Sequence, residues 1–475
     1  MTAGTVHNLN PNGAAAPPHW HFPNAVSVVS PAGLTRLPLA IVLAYVVATF
    51  VLFLTWPIDW PIYTFANWVR LVAYVSLCLV VLALTAFKGS AGPTRVVAHL
   101  PHLGIWLSLG AIGAALLLIP SSVAYTGLHP WDIMEALKDQ AAAYRRLQQQ
   151  LFLTSGERDN IVAMRTAIAP LTYAILPLGI IRWKSIGWLG RASVIVIVAT
   201  SLIFSILRGT DKELADLFLV GIASGFVAVG RLIAMGKGGS ELVRRSWVLA
   251  AIAIIFLTFA QGLFTQRKQE RLGGRVSRTS VCANSSRICA DLDNPLIAWL
   301  PAQQRFGITV FILSTCSGYY GLELAMEKPF DTSFGLGHSP AMLSVYEAAT
   351  GDTTLHKRTY TYRNGVDGWS EEYYWSTLIA WIANDVGFFG AVFVIALIGF
   401  MWGRWWREAA AGMSDPAAVL FALSTTMIFY LPANNQVLAS YDGYAIFAVW
   451  VPLWLWHRSR RALFVVMPPR AAAST

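Results

Sequence analysis

Charged residues are scarce in this chain of 475 residues. Asp, Glu, Lys and Arg together make up 13% of it, about half of the roughly 25% found in an ordinary soluble domain. Hydrophobic residues make up 56%, and the mean hydropathy is +0.53. Such a composition excludes a soluble enzyme, a disordered chain and a soluble nucleic-acid-binding protein. It indicates an integral membrane protein with several spans.

Cysteine is also rare, and the four cysteines are too few for a disulfide framework. Cys282 and Cys289 lie close together in the polar stretch VCANSSRIC. We expect a local disulfide between them if that stretch faces an oxidising compartment, which would leave Cys316 unpaired. Cys78 lies in an apolar run and is expected to be a small core residue. A cleavable signal pattern is missing ahead of the first apolar run.

Long apolar runs, by contrast, are abundant. A membrane-spanning helix needs about 20 largely apolar residues. Ten runs meet this requirement: 37–56, 68–87, 103–120, 162–181, 192–208, 214–231, 247–264, 378–401, 416–432 and 438–456. The predicted fold class is therefore an all-α polytopic integral membrane protein with about ten transmembrane helices.

Lys and Arg are concentrated in alternate connections, and this bias predicts the orientation. The tails 1–36 and 457–475 are expected to be cytoplasmic, with helices 1–7 in 37–264 and helices 8–10 in 378–456. The region 265–377 becomes one large extracytoplasmic loop. Within it, 306–326 is apolar but contains Ser317-Gly318 and Glu323. Counting it as a span would place the basic C-terminal tail outside, so we expect a helix broken at Ser317-Gly318 that is interfacial or re-entrant.

A second extracytoplasmic segment holds a predicted amphipathic helix near 131–153. Its polar face carries Glu135, Asp139, Arg146 and Gln149. Such a helix is expected to lie on the membrane surface. It could equally shape a substrate groove.

Charged residues near the outer ends of the predicted spans are the strongest functional signal, because charge at membrane depth is costly. They include Arg165, Arg208, Lys212 and Asp385. Structural ion pairs, such as Arg208 with Asp385, would explain part of this set. Arg also grips phosphate oxygens in a bidentate fork. Together with the many aromatic residues of 265–377, the cations suggest a cavity for a polyprenyl-pyrophosphate-linked glycan.

Several stretches resemble one protein family. They are SGYYGLELAMEKPFDTSFGLGHS (317–339), TYTYRNGVDGWSEEYYWSTLIAWIANDVGFFG (359–390), FYLPANNQ (429–436) and the turn RGTDKELAD (208–216). They resemble bacterial oligosaccharide repeat-unit polymerases, the Wzy-type enzymes of the O-antigen polymerase/ligase superfamily. The likeness covers most of the second half, whereas the first 160 residues match only in hydropathy. Glu323 departs from the small residue expected after Tyr-Tyr-Gly-Leu and is given no role.

The resemblance implies a fold similar to that of GT-C-like polymerases and ligases, in the bacterial inner membrane. It also implies a reaction: a hydroxyl of one lipid-linked repeat attacks the anomeric carbon of a glycan that leaves undecaprenyl pyrophosphate. Membrane lipid and a chain-length regulator protein are the other expected partners, and nucleic acid, metal and other cofactors are not expected.

That reaction assigns roles to particular residues. Cations that take up the charge of the leaving pyrophosphate are Arg165, Arg208, Lys212 and Arg363, with Arg305 in reserve. His338 is the first candidate for the base and Asp385 the second, although His338 could also be a helix-capping or loop residue. The aromatic platform for the glycan is expected from Tyr319, Tyr320, Tyr360 and Trp369.

Three other functions compete with polymerisation. An O-antigen ligase would use the same donor and transfer the glycan to lipid A-core. A lipid-phosphate-sugar glycosyltransferase would use Asp59 in the first outer loop as its base. A flippase or other transporter would lack the large outer loop and often shows repeated halves.

Overall fold

The structure is a computed structural model. It describes residues 36–62, 64–92, 94, 100, 102–153, 155–235, 240–272, 280–282 and 288–459. In these ranges the fold consists of sixteen α-helices and a two-stranded antiparallel sheet. The N-terminal tail and most of the C-terminal tail that we predict to be cytoplasmic lie outside the described residues.

The helices are numbered in chain order. They are α1 (Leu37–Thr55), α2 (Phe65–Ser90), α3 (Leu103–Thr126), α4 (Ile133–Lys138), α5 (Gln140–Leu153), α6 (Ser155–Ile181), α7 (Gly187–Arg208), α8 (Lys212–Ala234), α9 (Ser240–Leu272), α10 (Ala302–Met326), α11 (Pro340–Thr350), α12 (Thr354–Arg358), α13 (Tyr360–Arg363), α14 (Leu378–Ala410), α15 (Asp415–Phe429) and α16 (Tyr441–Ser459). The strands are β1 (Ser280–Cys282) and β2 (Cys289–Asp291).

Eight helices among the described residues are long and apolar enough to cross a membrane. Seven of them, α1, α2, α3, α6, α7, α8 and α14, coincide with predicted spans, and the eighth is α10. The other three predicted spans fall on α9, α15 and α16, which are not among the eight. The chain is thus an all-α multi-pass membrane protein, and the number of ten spans stays a prediction.

Glycines bring α2 and α14 into backbone contact. A Cβ on Gly403 would lie 1.9 Å from the carbonyl oxygen of Ala86, and one on Gly89 would lie 2.1 Å from that of Phe400. Small residues allow such close packing of helices in lipid, where the hydrophobic effect does not drive association. We call this contact between α2 and α14 the glycine seam. It fixes α14, which carries part of the candidate site described below.

The short helix α15 is the centre of the bundle. Every residue from Asp415 to Ile428 is buried. Its aromatic contacts come from several neighbours: Phe421 packs on Trp402 and Trp406, and Phe429 stacks on Tyr45. A helix covered on all sides is apolar all round, and this is the pattern that the sequence of α15 shows.

A buried carboxylate anchors the N-terminus of α15. Asp415 is completely buried, and its oxygens lie 3.2 Å from Nη1 of Arg182 and 3.3 Å from Nη2 of Arg231. The backbone N–H of Leu100 also donates to it. We call Asp415, Arg182 and Arg231 the Asp415 network. It ties α15 to the ends of α6 and α8 with charge, in a place where an unpaired charge would be costly.

Both ends of α10 contact the same end of the bundle. Near its start Thr309 accepts a hydrogen bond of 3.0 Å from Trp56, and just after its end Glu327 accepts one from Asn67. Trp56 follows α1 and Asn67 lies in the first turn of α2, so both flank one short connection. These contacts place α10 beside the connection between α1 and α2, and its interfacial or re-entrant character stays a prediction.

Three expectations about local structure are corrected. Helix α10 continues through Ser317 and Gly318, so the predicted break there is wrong. The predicted amphipathic helix is two helices, α4 and α5, divided at Asp139, whose side chain accepts from the backbone N–H of Ala142. Helix α9 extends through Leu272, beyond the expected boundary at residue 264.

The expected disulfide is confirmed. Cys282 and Cys289 are bonded and pair across the β1–β2 hairpin. Cys78 and Cys316 are free and buried. Strand β2 also pairs with the connection after α1, since the N–H of Asp59 donates to the carbonyl of Cys289 at 3.0 Å. The hairpin therefore lies at the same end of the bundle as both ends of α10.

Asp415→Asn should strongly destabilise the bundle, because two arginines would lose their common counterion. Removing one partner of a buried ion pair costs about 3–5 kcal/mol. We expect a loss of that size in the free energy of unfolding, measured in detergent by SDS titration with tryptophan fluorescence. The control is Glu372→Gln, which changes an exposed carboxylate in the same way. Equal unfolding midpoints for the two variants would contradict the prediction.

Candidate functional site

A kink in α14 presents the carboxylate of Asp385. Gly387 has φ +67° and ψ 173°, which interrupts the helix two residues after Asp385. A positive φ of this kind is accessible to glycine at little cost. Around the kink, the hydroxyl of Tyr74 donates to the carbonyl of Phe388 at 2.7 Å. The first part of α14 thus ends within the fold, with Asp385 in its last turn.

The loop between α10 and α11 closes around this carboxylate. Oδ1 of Asp385 accepts hydrogen bonds from Ser333 Oγ at 2.9 Å, Gly335 N at 3.0 Å and Gly337 N at 2.8 Å. Oδ2 accepts one from the backbone N of His338 at 2.9 Å. Backbone N–H groups converging in a concave loop form a site for an anion. Here the anion is a side chain of the protein itself.

The imidazole of His338 adds a fifth hydrogen bond to Asp385. Its Nδ1 lies 2.7 Å from Oδ2. Because an ionised carboxylate only accepts hydrogen bonds, Nδ1 carries a proton, and in that neutral tautomer Nε2 is an acceptor. The hydroxyl of Tyr444, on α16, bonds to Nε2. We call Asp385, His338 and Tyr444 the Asp–His–Tyr chain.

Two buried asparagines bind the backbone of the loop that carries His338. Asn384 donates to the carbonyl of Gly337 and accepts from the N–H of Tyr360, both at 2.8 Å. Asn435 donates to the carbonyl of His338 at 2.5 Å. The His338 side chain is 26% exposed, whereas that of Asp385 is 7% exposed. A carboxylate thus fixes the orientation of the imidazole, and only the imidazole is partly exposed.

A pair of arginines forms the second polar cluster. Arg165 and Arg208 both lie over Phe204, at 4.9 and 5.1 Å from the ring centroid, and both lie within 5.7 Å of Tyr125. Cations attract such aromatic faces. We call these two residues the arginine pair. They come from the end of α7 and from α6, so the structure brings together two cations that are 43 positions apart in the sequence.

Each member of the arginine pair also has an acidic partner. Arg165 lies 4.0 Å from Asp442, which accepts a hydrogen bond of 3.0 Å from Thr166. Arg208 forms an ion pair with Glu213. The predicted ion pair between Arg208 and Asp385 is therefore wrong, because each group binds other residues.

A cavity of about 180 Å³ lies beside the arginine pair. One part of its lining is polar and includes Arg165, Glu213 and Asp442, while the rest is largely apolar and includes Leu117 and Ile197. The cavity thus offers both charged and apolar side chains to a small group.

Both polar clusters contact the first turn of α16 through residues whose side chains leave the helix in different directions. Asp442 and Tyr444 are two residues apart in its first turn, and they contact Arg165 and His338 respectively. Sequence reasoning missed Tyr444 and Glu213. Tyr444 follows the FYLPANNQ motif closely, and that proximity is the one signal that could have indicated it.

Lys212 does not join the arginine pair, because it pairs with an acidic residue of its own helix. Its Nζ lies 3.1 Å from Asp216, one turn along α8. The same turn between α7 and α8 is held by Arg267, which pairs with Asp211 and donates to the carbonyl of Thr210. Arg267 was not among the predicted residues. These ion pairs fix the turn that carries Arg208.

Arg305 and Arg363 bind loops instead of joining the arginine pair. Arg305 donates to the carbonyl of Leu292 at 2.8 Å and lies 3.3 Å from Asp293. Arg363 donates to the carbonyl of Pro329 at 2.8 Å. Their positions give both a structural role, and the structure does not bring them to the predicted pyrophosphate site.

The predicted aromatic platform is wrong as assigned. Tyr319, Tyr320, Tyr360 and Trp369 are all buried. Tyr319 packs against Phe50 and Phe53 of α1, so its face is covered by protein. Other aromatic residues of the same region are exposed: Phe330, Phe334 and Tyr362. Phe334 is 69% exposed and lies between two residues that bind Asp385.

No protein-family model, curated protein or solved structure matches this chain. The likeness to repeat-unit polymerases therefore stays a prediction from the sequence motifs. His338 and Asp385, which lie within those motifs, are nevertheless brought into direct contact by the fold.

A second histidine holds the segment that packs beside the loop. Nδ1 of His356 lies 3.0 Å from Glu347, and its Nε2 bonds to Glu371. The hydrogen bond to Glu371 raises the pKa of His356 above its ordinary value of about 6.5, with a further contribution from Glu347 and opposition from partial burial. Since both ring nitrogens face carboxylates, the imidazolium is the favoured form.

The stability of α11–α13 should consequently fall as the pH rises. A raised pKa means that the contribution of His356 is complete below about pH 6.5 and is lost as the pH rises through the pKa of the folded state. We expect faster amide hydrogen exchange in 340–363 at pH 8.5 than at pH 6, after correction for intrinsic rates. His356→Gln should abolish this difference, and persistence of it in that variant would contradict the assignment.

Proposed function

We propose that this protein is a glycosyltransferase of the bacterial inner membrane that polymerises undecaprenyl-pyrophosphate-linked oligosaccharide repeat units on the periplasmic face. The observation that carries the proposal is the Asp–His–Tyr chain, in which a carboxylate orients a histidine, and the arginine pair contacts the same turn of α16. A base and a cationic site are the two groups that transfer of a sugar from a pyrophosphate needs.

The cavity beside the arginine pair suits the lipid-linked donor. Its apolar lining can cover the first part of a prenyl chain, and the arginine pair offers donors for pyrophosphate oxygens. In the absence of ligand the two cations are balanced by Glu213 and Asp442. Phosphate oxygens would replace part of these ion pairs. Because both arginines are already paired before the ligand binds, the empty site holds no uncompensated charge.

In the proposed transfer one bond forms, one bond breaks and one proton moves. A hydroxyl oxygen of the acceptor repeat forms a bond to the anomeric carbon of the donor glycan, and the bond from that carbon to the pyrophosphate oxygen breaks. The hydroxyl proton passes to His338, and Asp385 stabilises the resulting imidazolium. Undecaprenyl pyrophosphate leaves with the bonding electron pair, and the arginine pair stabilises the charge that it gains.

The exposed aromatic residues offer surfaces for the sugars. Phe330, Phe334 and Tyr362 are exposed in the segment around the loop that binds Asp385. The face of an aromatic ring carries partial negative charge and attracts the C–H groups of a pyranose. These three residues therefore replace the buried set in the proposed glycan platform.

Two features support placing this end of the bundle outside the cytoplasm. The Cys282–Cys289 disulfide lies at the end where α10 begins and ends, and disulfides persist in oxidising compartments. A Cβ on Gly318 of α10 would lie 2.3 Å from the carbonyl oxygen of Pro432. Helix α10 therefore also packs against the segment that carries Asn435 of the site. Basic residues near the ends of α2, α14 and α16, including Lys88, Arg407 and Arg458, agree with a cytoplasmic location of those ends.

Loss of the base should abolish polymerisation. We expect His338→Ala and Asp385→Asn to lower the rate by about 10²–10⁴-fold, the usual contribution of a general base, while both variants still insert and fold. The assay uses purified protein in nanodiscs with lipid-linked repeat units extracted from cells that lack this protein. Wild type should give a glycan ladder on a gel without any nucleotide sugar.

The matched control is His102→Asn, which changes an exposed histidine at the start of α3. Normal activity of His338→Ala would remove His338 from the site. Transfer that occurs only when lipid A-core is added would assign a ligase. Wild-type protein that forms neither product would overturn the proposal, and lipid transport would then be assayed.

Loss of either arginine should weaken donor binding. A hydrogen bond to a charged group contributes about 1.5–3 kcal/mol, so Arg165→Gln and Arg208→Gln should each lower the affinity for undecaprenyl pyrophosphate by roughly 10–150-fold. Binding can be measured by microscale thermophoresis in nanodiscs. Arg145→Gln, an exposed cation of α5, should bind as tightly as wild type. Unchanged affinity in both arginine-pair variants would place the lipid pyrophosphate elsewhere.

A further inference from the structure

The hydrogen-bonding capacity of Tyr444 is only partly used. Because Nε2 of His338 is an acceptor, the hydroxyl proton of Tyr444 must point to it. A phenolic oxygen has two lone pairs, so the Tyr444 oxygen can accept a hydrogen bond from an outside donor while its own proton stays hydrogen-bonded to Nε2 of His338.

The same bond closes the direct route to the histidine. A lone pair on a ring nitrogen accepts one hydrogen bond, and Tyr444 occupies that of Nε2. An acceptor hydroxyl cannot approach Nε2 unless Tyr444 leaves. It can, however, donate to a lone pair of the Tyr444 oxygen while the bond to Nε2 stays in place.

The local packing keeps Tyr444 in place. A Cβ on Gly443 would lie 1.9 Å from the carbonyl oxygen of Val437, so the backbone next to Tyr444 lies directly against the preceding segment. The N–H of Gly443 donates to Ser440 at 3.2 Å, and Asp442 is held by Thr166. The first turn of α16 is therefore bound on both sides of Tyr444.

We propose that Tyr444 is a catalytic residue that relays the proton from the acceptor sugar hydroxyl to His338. This inference rests on the proposed function. As the acceptor oxygen bonds to the anomeric carbon and pyrophosphate leaves, the acceptor proton moves to the Tyr444 oxygen. At the same time the phenolic proton moves to Nε2 of His338. Tyr444 ends neutral, His338 ends as an imidazolium balanced by Asp385, and water removes its proton before the next turnover.

The relay can be tested in the nanodisc assay with the extracted lipid-linked repeat units. We expect Tyr444→Phe to lower kcat by at least about 100-fold and to change KM less than about threefold. Tyr441→Phe removes a hydroxyl from the same turn of α16 and should keep at least half of the wild-type kcat. The double variant Tyr444→Phe/His338→Ala should be no slower than His338→Ala alone, because both residues act in one transfer.

A proton inventory separates the relay from a structural role. In mixtures of H₂O and D₂O, wild-type rates should depend on the deuterium fraction as a quadratic, which reports two protons in motion, and the residual rate of Tyr444→Phe should depend on it linearly. Replacing Tyr444 by the more acidic 3-fluorotyrosine keeps the ring and should shift the pH–rate profile to lower pH.

The outcomes distinguish the two proposals. Wild-type protein that forms no ladder contradicts the proposed function itself. An active wild type whose Tyr444→Phe variant retains its kcat overturns the relay and leaves the function intact. Additive losses in the double variant, a linear inventory in wild type or an unshifted pH profile with 3-fluorotyrosine would also overturn it.

Discussion

The need to satisfy one buried carboxylate organises the candidate site. Asp385 is almost inaccessible to water and accepts five hydrogen bonds, three on one oxygen and two on the other. An unpaired charge at such a place would be costly. The loop before α11 therefore folds around Asp385, and the kink at Gly387 gives the carboxylate room. The tautomer of His338, and with it the direction of proton movement in the proposed mechanism, depends on this arrangement.

The bundle holds that arrangement from two sides. The glycine seam between α2 and α14 fixes the helix that carries Asp385, and the buried helix α15 leads from the Asp415 network to Asn435, which binds the loop carbonyl of His338. Both connections pass through residues that are fully buried. Precise positioning of a base requires such rigid support, because small displacements lower the rate of proton transfer.

Elements determined by local pattern could be predicted from the sequence, whereas contacts between distant segments could not. Each of the ten apolar runs falls on a helix, since a segment must satisfy its own backbone in lipid. The disulfide was predictable because its cysteines are seven positions apart. Tyr444 is 106 positions from His338, and nothing in the local sequence specifies that contact. Burial of Tyr319 and Trp369 was missed for a related reason: interfacial, sugar-binding and core aromatic residues have the same composition and spacing.

The length of α15 determines how deep the chemistry takes place. Its 15 residues span about 22 Å at ~1.5 Å per residue, less than the roughly 30 Å of a bilayer's hydrocarbon region. A helix of this length cannot reach both boundaries of that region, so the polar groups at one of its two ends, in the Asp415 network or around Asn435, have to be satisfied by the protein and not by water. Under the proposed function, a site around Asn435 that lay below the membrane surface would admit a glycan still attached to its lipid carrier more readily than a free one.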